Sequence, residues 1–122
     1  MKINIERTKE FYNSLSYDKL CDCDYCENYY KRIKETYPEL SEYLSEFGTD
    51  IAKPYEISPL EPENESLTYS VCQYVVFGSC EDDFCEKIGY VKLRKAEFYP
   101  TTDIEEEHFV LDIYDIKLKY EV

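Results

Sequence analysis

The sequence predicts an α+β protein in which N-terminal helices pack on a C-terminal, mainly antiparallel β-sheet of three to five strands. In the first part of the chain, up to about residue 48, apolar residues recur at the spacing of a buried helix face. Between residues 67 and 120 they follow strand-like patterns instead. A chain of 122 residues is long enough for one hydrophobic core, so we expect a single domain, residues 1–122.

Two elements are predicted before the first cysteine. Residues 1–6 alternate apolar and polar side chains, which is typical of a short edge strand. Residues 8–20 are predicted to form a helix, because Phe11 and Leu15 lie one helical turn apart. Thr8 is the expected N-cap of that helix, since its hydroxyl can accept a free amide of the first turn.

Two further helices are predicted, at residues 24–36 and 38–47. Asp24 followed by Glu27 indicates a variant of the capping box at the start of the first of them. Pro38 cannot continue that helix, because proline has no amide hydrogen to donate. The buried faces are expected to carry Tyr25, Tyr29, Ile33, Tyr37, Leu40, Tyr43, Leu44 and Phe47.

The second half begins with an extended surface connection at residues 50–66, which contains three prolines. Residues 67–77 are predicted as a central strand, because apolar side chains occupy both of its faces. Returning strands are predicted at residues 88–93 and 96–99. One face of the central strand is expected to carry Leu67, Tyr69, Val71, Val75 and Phe77, and the other Cys72, Tyr74 and Val76.

The last predicted strand covers residues 108–120, and its apolar side chains change phase part-way along. A change of phase indicates either a β-bulge near residues 113–115 or a strand that passes from one packing surface to another. The first phase contains Phe109, Leu111 and Ile113, and the second contains Tyr114, Ile116, Leu118 and Tyr120.

The formal net charge of −13 limits the classes of partner. Residues 61–122 carry 15 acidic and 6 basic side chains, so most of the excess lies in the second half. Binding to nucleic-acid phosphates or to anionic membrane surfaces requires a basic patch, and neither is expected here. A basic protein partner is compatible with this charge. The oligomeric state does not follow from the sequence.

The compartment is predicted from the N-terminus and from hydropathy. The first residues lack the apolar stretch of a signal peptide, and no segment has the length of a membrane span. We therefore expect a cytoplasmic protein. Its six cysteines are then expected to be thiols or metal ligands and not structural disulfides.

The cysteine cluster is the one feature of the sequence that predicts chemistry. Cys23 and Cys26 have the two-residue separation of a zinc-binding turn, and Cys21 adds a third thiol. Zinc takes four ligands, so a fourth would come from elsewhere, with Cys80 and Cys85 as the main candidates. Cys72 is a further candidate for that position, and any mixed site would use His108, the single histidine.

Two alternatives to a metal site stay open. Cys23 and Cys26 could act as a redox dithiol, since a helix N-terminus favours the thiolate. Asp22 and Asp24 act against this, because neighbouring negative charge raises the pKa of a thiol. A third hypothesis is an acidic mimic of nucleic acid, based on the charge of the second half. The sequence contains none of the common nucleotide-binding or serine-hydrolase motifs, which favours a non-enzymatic protein.

Several short segments resemble a group of small uncharacterised bacterial proteins, a domain of unknown function. They are Cys21-x-Cys23-x-Tyr25-Cys26-x-Asn28-Tyr29-Tyr30, then Tyr37-Pro38-Glu39 and Phe47-Gly48-x-Asp50-Ile51-x-Lys53-Pro54. The resemblance implies an intracellular bacterial protein and no particular activity. Because catalytic motifs are missing, the leading hypothesis is a cytosolic, non-enzymatic α+β binding protein, with a structural zinc ion as the expected occupant of the cysteine cluster.

Overall fold

The fold is described from a computed structural model, which covers residues 1–121. It confirms the predicted α+β class, with helices in the first half of the chain and an antiparallel sheet that is mostly in the second. The helices are α1 (Ile5–Ser14), α2 (Asp24–Thr36) and α3 (Pro38–Ser45). The strands are β1 (Lys2–Ile3), β2 (Glu56–Pro59), β3 (Ser66–Ser79), β4 (Cys85–Ile88), β5 (Val91–Lys95) and β6 (His108–Lys119).

The sheet has six strands in the described range, one more than the upper limit of the prediction. Its order is β1-β3-β6-β5-β4, and β2 pairs with β3 beside β1, so β3 and β6 form the centre. The additional strand is β2, which lies in the segment predicted as a connection. The predicted strand at residues 88–93 is divided into β4 and β5 by a turn at Gly89, which has a φ of 62°. Residues 96–99 do not form a strand.

Helix α1 begins three residues earlier than predicted. Asn4 is its N-cap and accepts a hydrogen bond from the amide of Arg7. Thr8 is therefore inside the helix, and its hydroxyl donates to the Asn4 carbonyl while accepting the amide of Phe77. Thr8, which the sequence indicated as a cap, thus joins α1 to the C-terminal end of β3. The predicted helix also ends early, at Ser14, and a short 3-10 helix follows at Tyr17–Lys19.

Helix α2 has the predicted bounds but a different cap. Cys23, and not Asp24, is the N-cap, because its sulfur atom accepts the amide of Cys26. Asp24 is the first helical residue, where its negative charge interacts favourably with the helix dipole. Helix α3 begins at Pro38, as predicted, and ends at Ser45, two residues before the predicted end.

The change of phase in β6 is real, but it is not a bulge in the pairing of β6 with β3. The pairing register between these strands is constant from Ser66 opposite Lys119 to Phe77 opposite His108. Asp115 has a φ of 58°, and β3 changes phase at the same level of the sheet. The extra residue of β3 instead produces a bulge relative to the short strand β2.

Because both strands change phase together, their main-core residues stay on one face along the whole length of the strands. The prediction that Leu67 and Tyr69 share a face with Val75 and Phe77 is therefore wrong. Leu67 and Tyr69 belong to the main core with the residues predicted on the opposite face of β3. That core lies under α2 and α3, and its strand residues include Leu67, Tyr69, Cys72, Tyr74, Val76, Phe109, Leu111, Ile113, Ile116 and Leu118.

A smaller core covers the opposite face of the sheet. It contains Val75, Phe77, Ala96 and Val110, and Phe11 of α1 packs against it. The rings of Phe11 and Phe77 are 5.5 Å apart. The sheet is therefore covered on both faces, by two helices on one and in part by α1 on the other.

A chain of buried hydroxyl groups crosses the main core. The Tyr74 hydroxyl donates to the carbonyl of Ile51 at 2.5 Å, so its own proton is already used. The hydroxyl of Tyr29, 2.6 Å away, therefore donates to Tyr74. Both tyrosines are fully buried, and each hydroxyl avoids the penalty of an unpaired polar group.

We expect the substitution Tyr74→Phe to lower the free energy of unfolding by about 1–3 kcal/mol, because it leaves two buried polar groups without a partner. Denaturant unfolding of the metal-free protein measures this directly. Tyr90→Phe is the matched control, since Tyr90 is 98% exposed, and its effect is expected to stay within about 0.5 kcal/mol. Equal effects of the two substitutions would contradict the hydroxyl chain.

Candidate metal centre

Three cysteine side chains meet at the start of α2. The sulfur atoms of Cys21, Cys23 and Cys26 all lie within 4.8 Å of one another. Cys21 and Cys23 are exposed, and Cys26 is buried against the protein. All six cysteines of the chain are free thiols. The group therefore has one protected thiol at its base and two thiols that face solvent.

The helix start places two of these thiols together. Cys23 precedes the first turn of α2, and its sulfur accepts the amide of Cys26 at 3.4 Å. Burial alone would raise the pKa of the Cys23 thiol, but hydrogen bonds from the Cys26 amide, the Cys21 and Cys26 thiols and the Tyr25 amide together lower it. Burial is the main cause of the raised pKa of Cys26, and hydrogen bonds to the other two thiols add to it. The Cys23 thiol therefore loses its proton more readily than the Cys26 thiol.

The N-terminal part of α2 is held against the sheet by partly buried hydrogen bonds. The hydroxyl of Tyr69 on β3 donates to the carbonyl of Tyr25 at 2.5 Å. The amide of Asn28 donates to the carbonyl of Lys119 at 2.9 Å, at the end of β6. Arg32, one turn further along, donates to the other end of the Asn28 side chain. These contacts fix the position of Cys26, which lies between Tyr25 and Asn28.

The segment that carries Cys21 is attached to α2 by a second set of contacts. The hydroxyl of Tyr30 donates to the carbonyl of Cys21 at 2.9 Å. The ring of Tyr30 packs on the ring of Tyr17, with centroids 5.5 Å apart. The ammonium group of Lys53 lies over the ring of Tyr17. Sequence reasoning missed the role of Tyr30. The available signal was its position one helical turn after Cys26, off the buried stripe of α2.

The spacing of the sulfur atoms fits a thiolate-bound metal ion. Zn–S bonds of about 2.3 Å in a tetrahedron put neighbouring sulfur atoms about 3.8 Å apart. Sulfur atoms already within 4.8 Å reach that spacing with side-chain adjustments of about 1 Å. The donor atoms are all sulfur, because no carboxylate or imidazole of residues 1–121 joins the group. Soft ligands of this kind select ions such as Zn²⁺ and Cu⁺ over Mg²⁺ or Ca²⁺.

The other candidate ligands lie elsewhere in the fold. Cys72 is buried in the main core, and burial raises the pKa of its thiol to about 12. Cys80 follows the far end of β3, roughly 35 Å of strand beyond Tyr69, which contacts α2 near the thiols. Cys85 begins β4, an edge strand of the sheet. Neither Cys80 nor Cys85 belongs to the group formed by Cys21, Cys23 and Cys26.

The surface around the three thiols is acidic. Asp22, Asp24 and Glu27 are exposed, and none of them forms a salt bridge within the described residues. Several acidic residues of the second half, in contrast, are paired. Glu81 contacts the N-terminal amine, Asp82 contacts a lysine, and Glu97 and Glu106 each contact an arginine. The negative charge beside the thiols is therefore free to attract a cation.

Comparisons with known proteins do not add to this picture. No protein-family model, curated protein or solved structure matches the chain. No helix within residues 1–121 combines the length and the apolar character that a bilayer crossing requires. The geometry of the three thiols is thus the main basis for a functional proposal.

We expect the thiols to differ in reactivity in the reduced, metal-free protein. Iodoacetamide at neutral pH is expected to modify Cys23 at least about tenfold faster than Cys26, because the thiolate is the reactive form. Peptide mapping by mass spectrometry after short exposures gives the order. Exposed Cys85 provides the reference rate within the same molecule. If Cys26 reacts as fast as Cys23, the described arrangement at the start of α2 is incorrect.

Proposed function

We propose that this is a non-enzymatic metal-binding protein in which Cys21, Cys23 and Cys26 hold one soft metal ion. The observation that carries the proposal is the convergence of three sulfur atoms within 4.8 Å, with hydrogen bonds that favour the thiolate form of Cys23. Zinc is the ion we propose, because it is the common partner of cysteine turns with this spacing. The reduced thiols that such a site needs are compatible with a cytosolic location.

The expected role of the ion is structural. Cys21 and Cys23 lie in the segment before α2, whereas Cys26 lies in the helix that the sheet holds in place. A metal ion bound by all three would fasten that exposed segment to the rigid part of the protein. The ordered surface around Tyr17 and Tyr30 would then be available to a protein partner, since tyrosine is enriched in interface hot spots.

The proposal predicts one zinc ion per chain in protein purified under reducing conditions without a metal-affinity tag. Free zinc at about 1,000 times its dissociation constant is expected to raise the free energy of unfolding by about 4 kcal/mol. Cys26→Ser is expected to abolish both the stoichiometric zinc and this stabilisation, because it removes the buried ligand. Elemental analysis and denaturant unfolding with and without a chelator measure the two effects.

The matched control is Cys85→Ser, which removes an exposed thiol outside the group and is expected to leave the zinc content unchanged. Metal-free protein with six titratable thiols and no stabilisation by added zinc would contradict the proposal. Loss of zinc in both variants would mean that the ligand set extends beyond the three clustered cysteines.

A dithiol redox activity is a second candidate, favoured by the contact between the Cys23 sulfur and the Cys26 amide at the helix N-terminus. In this reaction Cys23 attacks a disulfide of an oxidised partner and displaces one of its sulfur atoms as a thiol. Cys26 then attacks the mixed disulfide, which forms the Cys23–Cys26 disulfide and releases the second partner thiol. Two electrons and two protons pass to the partner. The raised pKa of Cys26 disfavours the second step.

The redox candidate predicts a reversible Cys23–Cys26 disulfide in glutathione buffers. Equilibration at graded ratios of reduced to oxidised glutathione, followed by acid quenching and mass spectrometry, gives its reduction potential. A potential within the range of about −180 to −270 mV would support a catalytic dithiol. Failure of the bond to form at any ratio, with Cys23→Ser as the reference, would rule this candidate out.

A further inference from the structure

The cluster supplies three ligands, and a tetrahedral zinc ion needs four. No fourth cysteine, histidine or carboxylate within residues 1–121 joins Cys21, Cys23 and Cys26. The two exposed thiols place the open side of the group toward solvent, because the protein covers the side of Cys26. The fourth position is therefore reachable from outside the molecule.

The histidine of the chain is not available for this position. His108 begins β6, and the thiols lie near the other end of that strand, roughly 35 Å of strand away. Both ring nitrogens of His108 are also engaged, one with the Thr102 hydroxyl at 2.8 Å and the other with the Glu106 carbonyl at 2.7 Å. A nitrogen ligand would thus have to come from another molecule.

Charge favours a neutral fourth ligand. Three thiolates and one Zn²⁺ ion have a net charge of about −1, and a fourth thiolate would make it about −2 beside unpaired Asp22, Asp24 and Glu27. A neutral imidazole leaves the charge unchanged and completes the three-cysteine, one-histidine set that zinc commonly uses. Electrostatics therefore selects a histidine over a cysteine at this position.

The surroundings of the open position suit a protein segment with positive charge. Tyr17 is 48% exposed beside the partly buried Tyr30, and the rings of Tyr25 and Tyr120 pack 5.3 Å apart near the same helix start. The Tyr25–Tyr120 pair, which adjoins Asp24, provides contact area for a basic segment, whereas Lys53 already lies over the ring of Tyr17. A second copy of this chain is a poor occupant, because each copy has a net charge of −13.

We propose that the fourth ligand is the imidazole of a histidine in a basic segment of a protein partner, which docks on the acidic, tyrosine-rich surface around the three thiols. This inference rests on the proposed metal binding. It specifies the chemistry of the partner. The metal ion would then also bind the two proteins to each other.

The test uses the reduced 122-residue chain loaded with one equivalent of Co²⁺, whose absorption reports its ligands. Three probes are titrated separately: free imidazole, N-acetylcysteine, and a short peptide with one histidine flanked by lysines. Imidazole and the peptide are expected to shift the d–d bands to saturation while the thiolate charge-transfer band keeps its intensity. N-acetylcysteine is expected to bind at least about tenfold more weakly than imidazole, because its thiolate adds negative charge.

A peptide with glutamates in place of the lysines is the matched probe for the charge of the partner. The lysine peptide is expected to bind about tenfold more tightly, and added salt should reduce that ratio. The double variant Asp22→Asn, Asp24→Asn should also reduce the ratio of the affinities for the lysine and glutamate peptides. Asp83→Asn is the matched control, since Asp83 is exposed and lies outside the region of the thiols.

The outcomes separate this inference from the proposed function. If Co²⁺ does not bind stoichiometrically, both are overturned. If Co²⁺ binds through thiolates and imidazole causes no shift, the proposed metal binding stands and the histidine ligand is overturned. Stronger binding of N-acetylcysteine overturns the preference for a neutral ligand. Equal affinities for free imidazole and for both peptides overturn the protein partner and leave a small imidazole compound as the ligand.

Discussion

The partly buried hydrogen bonds between the N-terminal part of α2 and the sheet are the constraint on which the thiol group depends. Tyr69 and the carbonyl of Lys119 hold Tyr25 and Asn28, and Cys26 lies between those two residues. A fixed helix start places the Cys26 amide beneath the Cys23 sulfur. The position of Cys26 at the base of the group therefore originates in contacts that involve no cysteine side chain.

Tyrosine hydroxyls perform much of the polar bonding inside this protein, which has 14 tyrosines and no tryptophan. Tyr12 donates to the carbonyl of Val75, as Tyr69 and Tyr74 do to carbonyls of other elements. Tyr37 both accepts from the amide and donates to the carbonyl of Lys117, at the level where β5 no longer pairs with β6. Each ring thus contributes apolar area to a core while its hydroxyl satisfies a backbone group of a neighbouring layer.

The sequence predicted what depends on local pattern and missed what depends on pairing between distant segments. The bounds of α2 and the phase change of β6 follow from the spacing of apolar residues and were visible. The phase change of β3 was hidden, because apolar residues occupy both faces of that strand. Thr8 has the side chain of a cap, and its actual partner Phe77, 69 residues further along the chain, is not visible in the local pattern. The proximity of three thiols was predictable from their spacing, whereas the positions of Cys80 and Cys85 required the topology of the sheet.

The matched phase changes of β3 and β6 also restrict how this protein can vary in length. Ser70 and Asp115 lie at the same level of two strands that otherwise keep a constant register. Removing one of them alone would leave the other unmatched, as a bulge of the kind that β3 forms against β2. Removing both would preserve the pairing and eliminate a residue with positive φ. These two positions, far apart in the chain, therefore compensate each other in the pairing of β3 with β6.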